Sequence, residues 1–368
     1  VLRILHVAQP VETGVAEVVL TLAAHQHARG HHVVVACPPH GMLPERARAL
    51  GVEVVAWPAR RQPGPATLGE ARRLARIVAA TRPDLVHLHS AKAGLAGRLG
   101  VRGRRPTLFQ PHAWSFHAAT GPVRAGALGW ERLAARWTDR VLAVSAAEAE
   151  EGRAAGIVAA VARTPNGVDT DRFTVSGPDD RAAARAALGL ADVPTAVCVG
   201  RLCPQKGQDL AIVAWSRVRA AVPDATLVLV GDGPDEAALA AAAGPGVRLA
   251  GAQRDVVPWL AAADLAVAPS RWEGQSLALL EAMASGLPVV ASDVAGVRES
   301  LAPDGGSVVP AGDADAFAAA VADHLGDLDR CRLAGAANRT RACADHGVAA
   351  AAARVEDVYA EVLAERAR

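Results

Sequence analysis

The feature that most restricts the fold is a rhythm of short apolar runs, each followed by a helical pattern, that passes through the chain twice. In the first half the runs are RILHVA (Arg3 to Ala8), HVVVAC (His32 to Cys37), VEVVAW (Val52 to Trp57), DLVHLH (Asp84 to His89), TLFQ (Thr107 to Gln110) and RVLAVS (Arg140 to Ser145). Helical periodicity separates them at Ala16 to Arg29, Thr67 to Thr81 and Ala125 to Trp137. Runs with almost no alternation must be covered on both faces, which requires a parallel sheet enclosed by helices. The polar stretch GVDTDRFTVSGPDD after Asn166 reads as a linker. The rhythm then resumes with TAVCVG (Thr195 to Gly200), TLVLVG (Thr226 to Gly231), VRLAG (Val247 to Gly251), LAVAPS (Leu265 to Ser270), PVVAS (Pro288 to Ser292) and GSVVP (Gly306 to Pro310). The Ala-rich segment Asp313 to Arg368 reads as helices.

The expected fold class is therefore α/β, with two doubly wound parallel-sheet domains. Their bounds are expected at 1–170 and 171–349, the last helix, about 350–368, packing back on the first domain. At 368 residues the chain also exceeds what one core usually serves. Such sheets take ligands at the carboxyl ends of their strands, here expected to face a shared cleft.

Composition narrows the function classes. Apolar runs are broken by Gly, Pro or charge well short of the roughly 18 to 20 residues a membrane span needs. The opening VLRILHVAQP is too short for a signal-peptide core and reads as a first buried strand, so a cytoplasmic location is expected. Cys37, Cys198, Cys203, Cys331 and Cys343 form no CxxC pair, which supports neither a disulfide frame nor a zinc site. Residues 1–168 hold 21 Lys and Arg against 11 Asp and Glu, a charge of +10; the remainder holds 18 against 27, or −9. Arg60, Arg61, Arg72, Arg73, Arg76, Arg98, Arg102, Arg104 and Arg105 carry much of that excess. They suit either a surface facing anionic lipid, with the protein peripheral at the inner face of a membrane, or an ordinary solvated helix face. No aromatics interleave with them, which argues against nucleic acid.

The loops of the second half carry the chemistry. VGRLCPQKGQDL sets Arg201 and Lys206 between a strand and a helix, where two cations and free amides can converge on a diphosphate. VGDGPDEAAL repeats strand, glycine and helix, but Asp232 would repel a phosphate, so it reads as turn chemistry. In SRWEGQSLALLEAMASG, Glu273 falls in a loop and Glu281 about one turn inside a helix that stops at Gly286. Amides from Gly274 to Leu277 favour an anion there, and carboxylates beside it accept hydroxyls. That combination suggests a ligand with both phosphate and sugar.

EGQSLALLEAMASGLPVVAS closely resembles the Glu-x7-Glu signature of retaining family-4 glycosyltransferases with the GT-B fold, built of two Rossmann-like domains. TPNGVDTDRF, VGRLCPQKG and VGDGP resemble further family segments in the same order, over nearly the whole chain. The resemblance implies that Arg201 and Lys206 contact the donor diphosphate, Glu273 the transferred sugar and Glu281 the nucleotide ribose. It implies that amides of Gly274, Gln275 and Ser276 hold phosphate or sugar. VETGVAEVVLTLA resembles the glycine-rich loop after the first strand, although the frequent Gly-Gly is Thr13-Gly14 here, leaving Gly14 as the donor contact. His112 of QPHAWSFH matches an active-site histidine near the donor sugar, with His117 as a competing candidate. HLHSAKAGLAGRLG is similar to the acceptor region, so His89, Ser90 and Lys92 are expected to face the acceptor.

The reading is a retaining glycosyltransferase moving a hexosyl or N-acetylhexosaminyl unit from a nucleotide-diphosphate sugar, UDP favoured, to an acceptor hydroxyl. The acceptor is expected to be a lipid-linked or polysaccharide intermediate, a small metabolite or natural product being the alternative. A non-catalytic nucleotide-sugar binder and a GT-B epimerase are the further alternatives. No Asp-x-Asp pair stands at a strand end and no cofactor is called for, the nucleotide-sugar being a substrate. A nicotinamide enzyme should show GxGxxG after its first strand, and VAQPVETGVAE does not.

Overall fold

The computed structural model describes residues 1–368 apart from the side chain of Thr13. It divides into two compact units, one of Val1–Gly167 with Val348–Arg368 and the other of Val168–Gly347. In the first unit β1 (Arg3–Ala8), β2 (His32–Cys37), β3 (Glu53–Ala56), β4 (Leu85–His89), β5 (Thr107–Gln110), β6 (Arg140–Ala143) and β7 (Val161–Arg163) form one sheet. All its neighbours pair in parallel, in the order β3-β2-β1-β4-β5-β6-β7. In the second unit β8 (Thr195–Val199), β9 (Thr226–Val230), β10 (Val247–Gly251), β11 (Leu265–Ala268), β12 (Val289–Ser292) and β13 (Gly306–Val309) are parallel in the order β10-β9-β8-β11-β12-β13. Both sheets are doubly wound. Strand order reverses between β1 and β4 and between β8 and β11, and these switch points are where such sheets take ligands.

Successive strand residues point to opposite faces, and both faces are dry. Leu5, Val7, Val34, Ala36, Val86 and Leu88 enter one core of the first unit, while Val33, Val35 and Cys37 enter another. His6, on β1 between Leu5 and Val7, and His87 and His89, flanking Leu88 on β4, therefore lie on the opposite face from those leucines and valines. In the second unit Cys198, Leu227 and Leu229 share one core, and Val197, Val228 and Val230 the other. The chain's last helix, Val348–Ala367, belongs to the first unit, where its fully buried Tyr359 shares a 2.7 Å hydrogen bond with His87 Nδ1. Glu356 of the same helix meets Arg29 at 2.8 Å.

Three expectations change. The polar stretch after Asn166 is not a free linker, because Val168 and Phe173 are buried in the second unit and Arg339 donates to the carbonyls of Thr170 and Phe173. β7 has no apolar run to announce it, its outer residues being exposed. Arg98 is not a surface cation: it is buried, donates to Glu131 at 2.6 Å and lies 3.9 Å over the Phe109 ring. The other arginines of the basic half that were singled out are exposed. Among the described residues no helix is long and apolar enough to cross a membrane.

Candidate functional site

In the second unit the loops that follow β8 and β11, the two strands at the switch point, meet through side chains. Lys206 Nζ donates to Glu273 Oε1 at 2.6 Å, and Ser270 Oγ donates to the same oxygen at 2.9 Å. Gln205 Nε2 donates to the Trp272 carbonyl at 3.1 Å and reaches Glu273 Oε2 at 3.4 Å, while the Arg271 amide donates to the Gln205 carbonyl at 2.8 Å. Gly207 makes the approach feasible: its φ is +66°, and a Cβ there would run into the Pro269 carbonyl. Burial alone would lower the Lys206 pKa, but the charge and hydrogen bond of Glu273 outweigh it and hold the ammonium above its usual range. The pair is thus a preformed cation beside a carboxylate of fixed position.

Arg201 stands at the mouth of the same loop and makes no side-chain ion pair among the described residues. VGDGP is its brace: Leu202 donates its amide to the Asp232 carbonyl at 2.7 Å, and the Asp235 amide donates to Leu202 at 3.1 Å. Ser276 caps the helix Leu277–Ala284, accepting the Leu279 amide, and Glu281 is half-buried on that helix. Gly274, Gln275 and Ser276 lead into its first turn and are buried. Behind them Gly296, at φ +79°, leaves room for the Gly274 carbonyl, and Gln275 Nε2 donates to Ser300 Oγ at 2.9 Å. The arrangement offers two cations, helix amides and two carboxylates within one unit.

In the first unit the residues cluster after β4 and β5. His112 follows β5 in a turn where it and Ala113 both take left-handed backbone conformations, φ +53° and +79°. Such values strain residues bearing a Cβ and persist only when the surroundings hold them. Glu148 does so: its Oε1 accepts the Ala113 amide at 2.7 Å and its Oε2 the Val144 amide at 2.8 Å. His112 Nε2 lies 3.2 Å from His89 Nδ1. Gly14 sits in the first turn of the helix Thr13–Ala28, after β1. Ser90, at φ +69°, opens the helix Ser90–Val101.

Two expected acceptor contacts need correction. His89 is fully buried, because it is the last inward-facing residue of β4, and offers no exposed ring to an acceptor. Lys92 is buried too, paired with Glu70 at 2.6 Å and donating to Thr67 Oγ1 at 3.0 Å. His117 keeps a half-buried ring, 3.0 Å from Glu151. Sequence reasoning missed His6, Gln26, Glu148, Ser270, Gln205 and Ser300. His6 carried a signal, a polar residue inside an otherwise apolar strand; the others are ordinary loop and helix residues whose role depends on tertiary approach.

The buried imidazoles make a pH dependence. Burial lowers His6 to about 4 and His112 to about 3, and puts His87 and His89 well below the usual histidine range. Unfolded histidines titrate near 6.5, so these groups favour folding above that pH, and the contribution is lost as pH falls from about 6.5 toward 4. Urea titrations should show the unfolding free energy falling by about 3 kcal/mol or more between about pH 7 and pH 4.5. An unchanged midpoint across that window would show that the rings are not kept neutral. Glu148 opposes the trend, since burial raises it to about 7 despite the two amides it accepts.

Comparison with known proteins gives a consistent set of relatives. The family model described as Glycosyltransferase Family 4 matches residues 13–172, and the model described as Glycosyl transferases group 1 matches residues 193–327. A GDP-mannose-dependent alpha-(1-6)-phosphatidylinositol monomannoside mannosyltransferase of Mycobacterium tuberculosis is 34% identical over 334 residues, 85% of each chain. The corresponding monoacylated-substrate mannosyltransferase of Corynebacterium glutamicum is 39% identical over 188 residues, 48% of this chain and 49% of that one. The chain thus spans about half the length of the Corynebacterium relative. Among solved structures, Anabaena HepE in complex with UDP and glucose aligns at a TM-score of 0.84, with 20% identity, over 98% of this chain and 100% of that chain. That likeness concerns the fold.

Proposed function

The chain belongs to the family-4 glycosyltransferases, with the GT-B fold, and from that premise we propose that it transfers a mannosyl unit from GDP-mannose to a hydroxyl of a phosphatidylinositol-linked mannoside, with retention at the anomeric carbon. The observation that carries this reading is the match to the mycobacterial mannosyltransferase over most of both chains. It moves the expected donor from a UDP-sugar to GDP-mannose, and it favours a lipid-linked acceptor over a small metabolite.

The second unit has the groups such a donor needs. Arg201 and Lys206 are proposed to take the diphosphate: an ammonium has three donor protons, so Lys206 can hold Glu273 and a phosphate oxygen together. Glu273 Oε2 meets only Gln205 Nε2, at 3.4 Å, among the described residues and is proposed to accept hydroxyls of the sugar. Glu281 is proposed to take the ribose, and the amides of Gly274, Gln275 and Ser276 to complete the phosphate shell. Catalysis then rests on preorganised positive charge where the departing GDP becomes most negative. The acceptor hydroxyl attacks the face from which GDP leaves, and the leaving phosphate takes its proton; Glu273 positions the donor and is not a base. His112 is proposed to touch the sugar, with Ser90 and His117 toward the acceptor.

The test is thermal stabilisation by GDP, UDP and ADP on the wild type and on Glu281→Ala. A ligand bound only to the folded form adds RT ln(1 + [L]/Kd), about 2.7 kcal/mol at a hundredfold excess over Kd. GDP is expected to stabilise most, and Glu281→Ala to lose most of that gain. Stabilisation by UDP alone would overturn the donor assignment.

A further inference from the structure

Beneath His112 lies a file of buried side chains that no role in donor binding explains. Gln26 Oε1 is 2.8 Å from His6 Nε2, His6 Nδ1 is 3.0 Å from His89 Nε2, and His89 Nδ1 is 3.2 Å from His112 Nε2. Gln26, His6 and His89 are fully buried. We infer that Gln26, His6 and His89 are positioning residues that fix His112 in the tautomer with hydrogen on Nε2 and a bare lone pair on Nδ1. The inference builds on the proposed contact of His112 with the transferred sugar.

The direction follows from one end. An amide oxygen only accepts, so the proton of neutral His6 sits on Nε2 and its Nδ1 is bare. That bare nitrogen must accept from His89 Nε2, which leaves His89 Nδ1 bare in turn. His89 Nδ1 must then accept from His112 Nε2. Each neutral ring has one donor and one acceptor, so the polarity set at Gln26 passes through three rings without a choice. Reversing it would bring an N–H against another N–H or leave a buried lone pair facing a lone pair, at the usual penalty for an unsatisfied buried group. A further proton can enter only at His112 Nδ1, because every other ring nitrogen in the file already donates or accepts. His112 is thereby presented as an acceptor, suited to a sugar hydroxyl that donates.

The surroundings hold the file in place. His6 and His89 stand on adjacent central strands, with Ala8 opposite His89 in register, and Gln26 comes from the helix Thr13–Ala28. The Gln26 side chain also lies near the Tyr359 hydroxyl, while its Nε2 is buried and makes no hydrogen bond among the described residues. His6, His87 and His89 bring ring nitrogens within 4.8 Å of one another, a spacing open to a metal ion. Hydrogen bonds, however, occupy every nitrogen of these rings except His87 Nε2, beside which the Gln110 side chain stands. The nitrogens of His6 and His89 are thus already engaged in the hydrogen-bond file. Glu148 contributes from the opposite side by holding the His112–Ala113 turn that aims the ring at His89.

The test is long-range proton–nitrogen NMR of protein labelled with nitrogen-15 in histidine, with His112→Gln used to assign the His112 signals. The wild type is expected to show His112 protonated on Nε2 and bare on Nδ1 as a single species. Nδ1 protonation, a mixture of tautomers, or signals that shift on chelator treatment as a metal leaves would overturn the inference. Gln26→Leu should release the polarity, giving mixed His112 tautomers and a kcat lower by about tenfold or more, with the KM for the nucleotide sugar little changed. Gln26→Glu, which keeps an acceptor oxygen at His6, should retain the wild-type tautomer. An unaltered His112 signal in Gln26→Leu would also overturn it. The NMR readout needs no substrate, so failure of the file and failure of the proposed function are separable.

Discussion

Replacing Glu273 by alanine is expected to lower glycosyl transfer by about 10²- to 10³-fold, equivalent to about 2.7–4 kcal/mol of lost transition-state stabilisation, while binding of the proposed nucleotide, GDP, persists. The reason is geometric. Glu273 is buried, and three side chains, Lys206, Ser270 and Gln205, fix its carboxylate. In its proposed role a group held this firmly would keep the sugar where its anomeric carbon can react, and positioning of that kind is worth far more to turnover than to binding. Loss of the carboxylate also frees Lys206 from its partner, so its ammonium can follow the diphosphate wherever it settles. Steady-state transfer together with calorimetric GDP titration separates the two effects. Wild-type kcat in the variant would remove Glu273 from the site, and an equal loss of GDP affinity would make it a fold residue.

The largest effect on stability is expected at Glu131, far from that cluster in sequence. Its Oε2 accepts from Arg98 at 2.6 Å and its Oε1 accepts from Ser115 Oγ at 2.9 Å, with Arg98 also donating to the Gly94 carbonyl at 2.8 Å. An arginine cannot shed its charge on burial as a lysine can. Glu131→Ala therefore leaves a guanidinium inside the protein without its anion, and urea unfolding should show a loss of about 3–5 kcal/mol. Removing both charges together, Arg98→Met with Glu131→Leu, should restore much of that loss, because apolar packing can replace a buried pair. A loss below about 1 kcal/mol in Glu131→Ala would mean that water reaches the pair. Ser115 follows the His112 turn, so this pair also anchors the segment that carries the histidine.

Much of this architecture is readable from the chain alone, for a physical reason. Parallel strands buried on both faces leave continuous apolar runs, and RILHVA, HVVVAC, TLFQ and VRLAG coincide with β1, β2, β5 and β10 residue for residue. β7 escapes because only its middle residue is even half-buried. The acidic signature was legible as a loop carboxylate and a helical one because Gly286 and the apolar helix between them frame their positions. What a sequence does not carry is which side chains meet across elements. Lys206 and Glu273, 67 residues apart, were assigned to different parts of the donor and turn out to bond each other. His89 and Lys92 looked exposed because they begin a helix after a strand, yet Glu70 and His112 approach from elsewhere to enclose them.

The most direct test of the central claim is a transfer assay with the purified protein, GDP-mannose or UDP-glucose as donor, and vesicles carrying a phosphatidylinositol monomannoside. Mass spectrometry of the extracted lipid reads the product. The expected result is an acceptor heavier by one hexose with GDP-mannose, little with UDP-glucose, and loss of the product in Glu273→Ala. Extension from UDP-glucose instead, or no extension from either donor by a protein that binds GDP, would contradict the account.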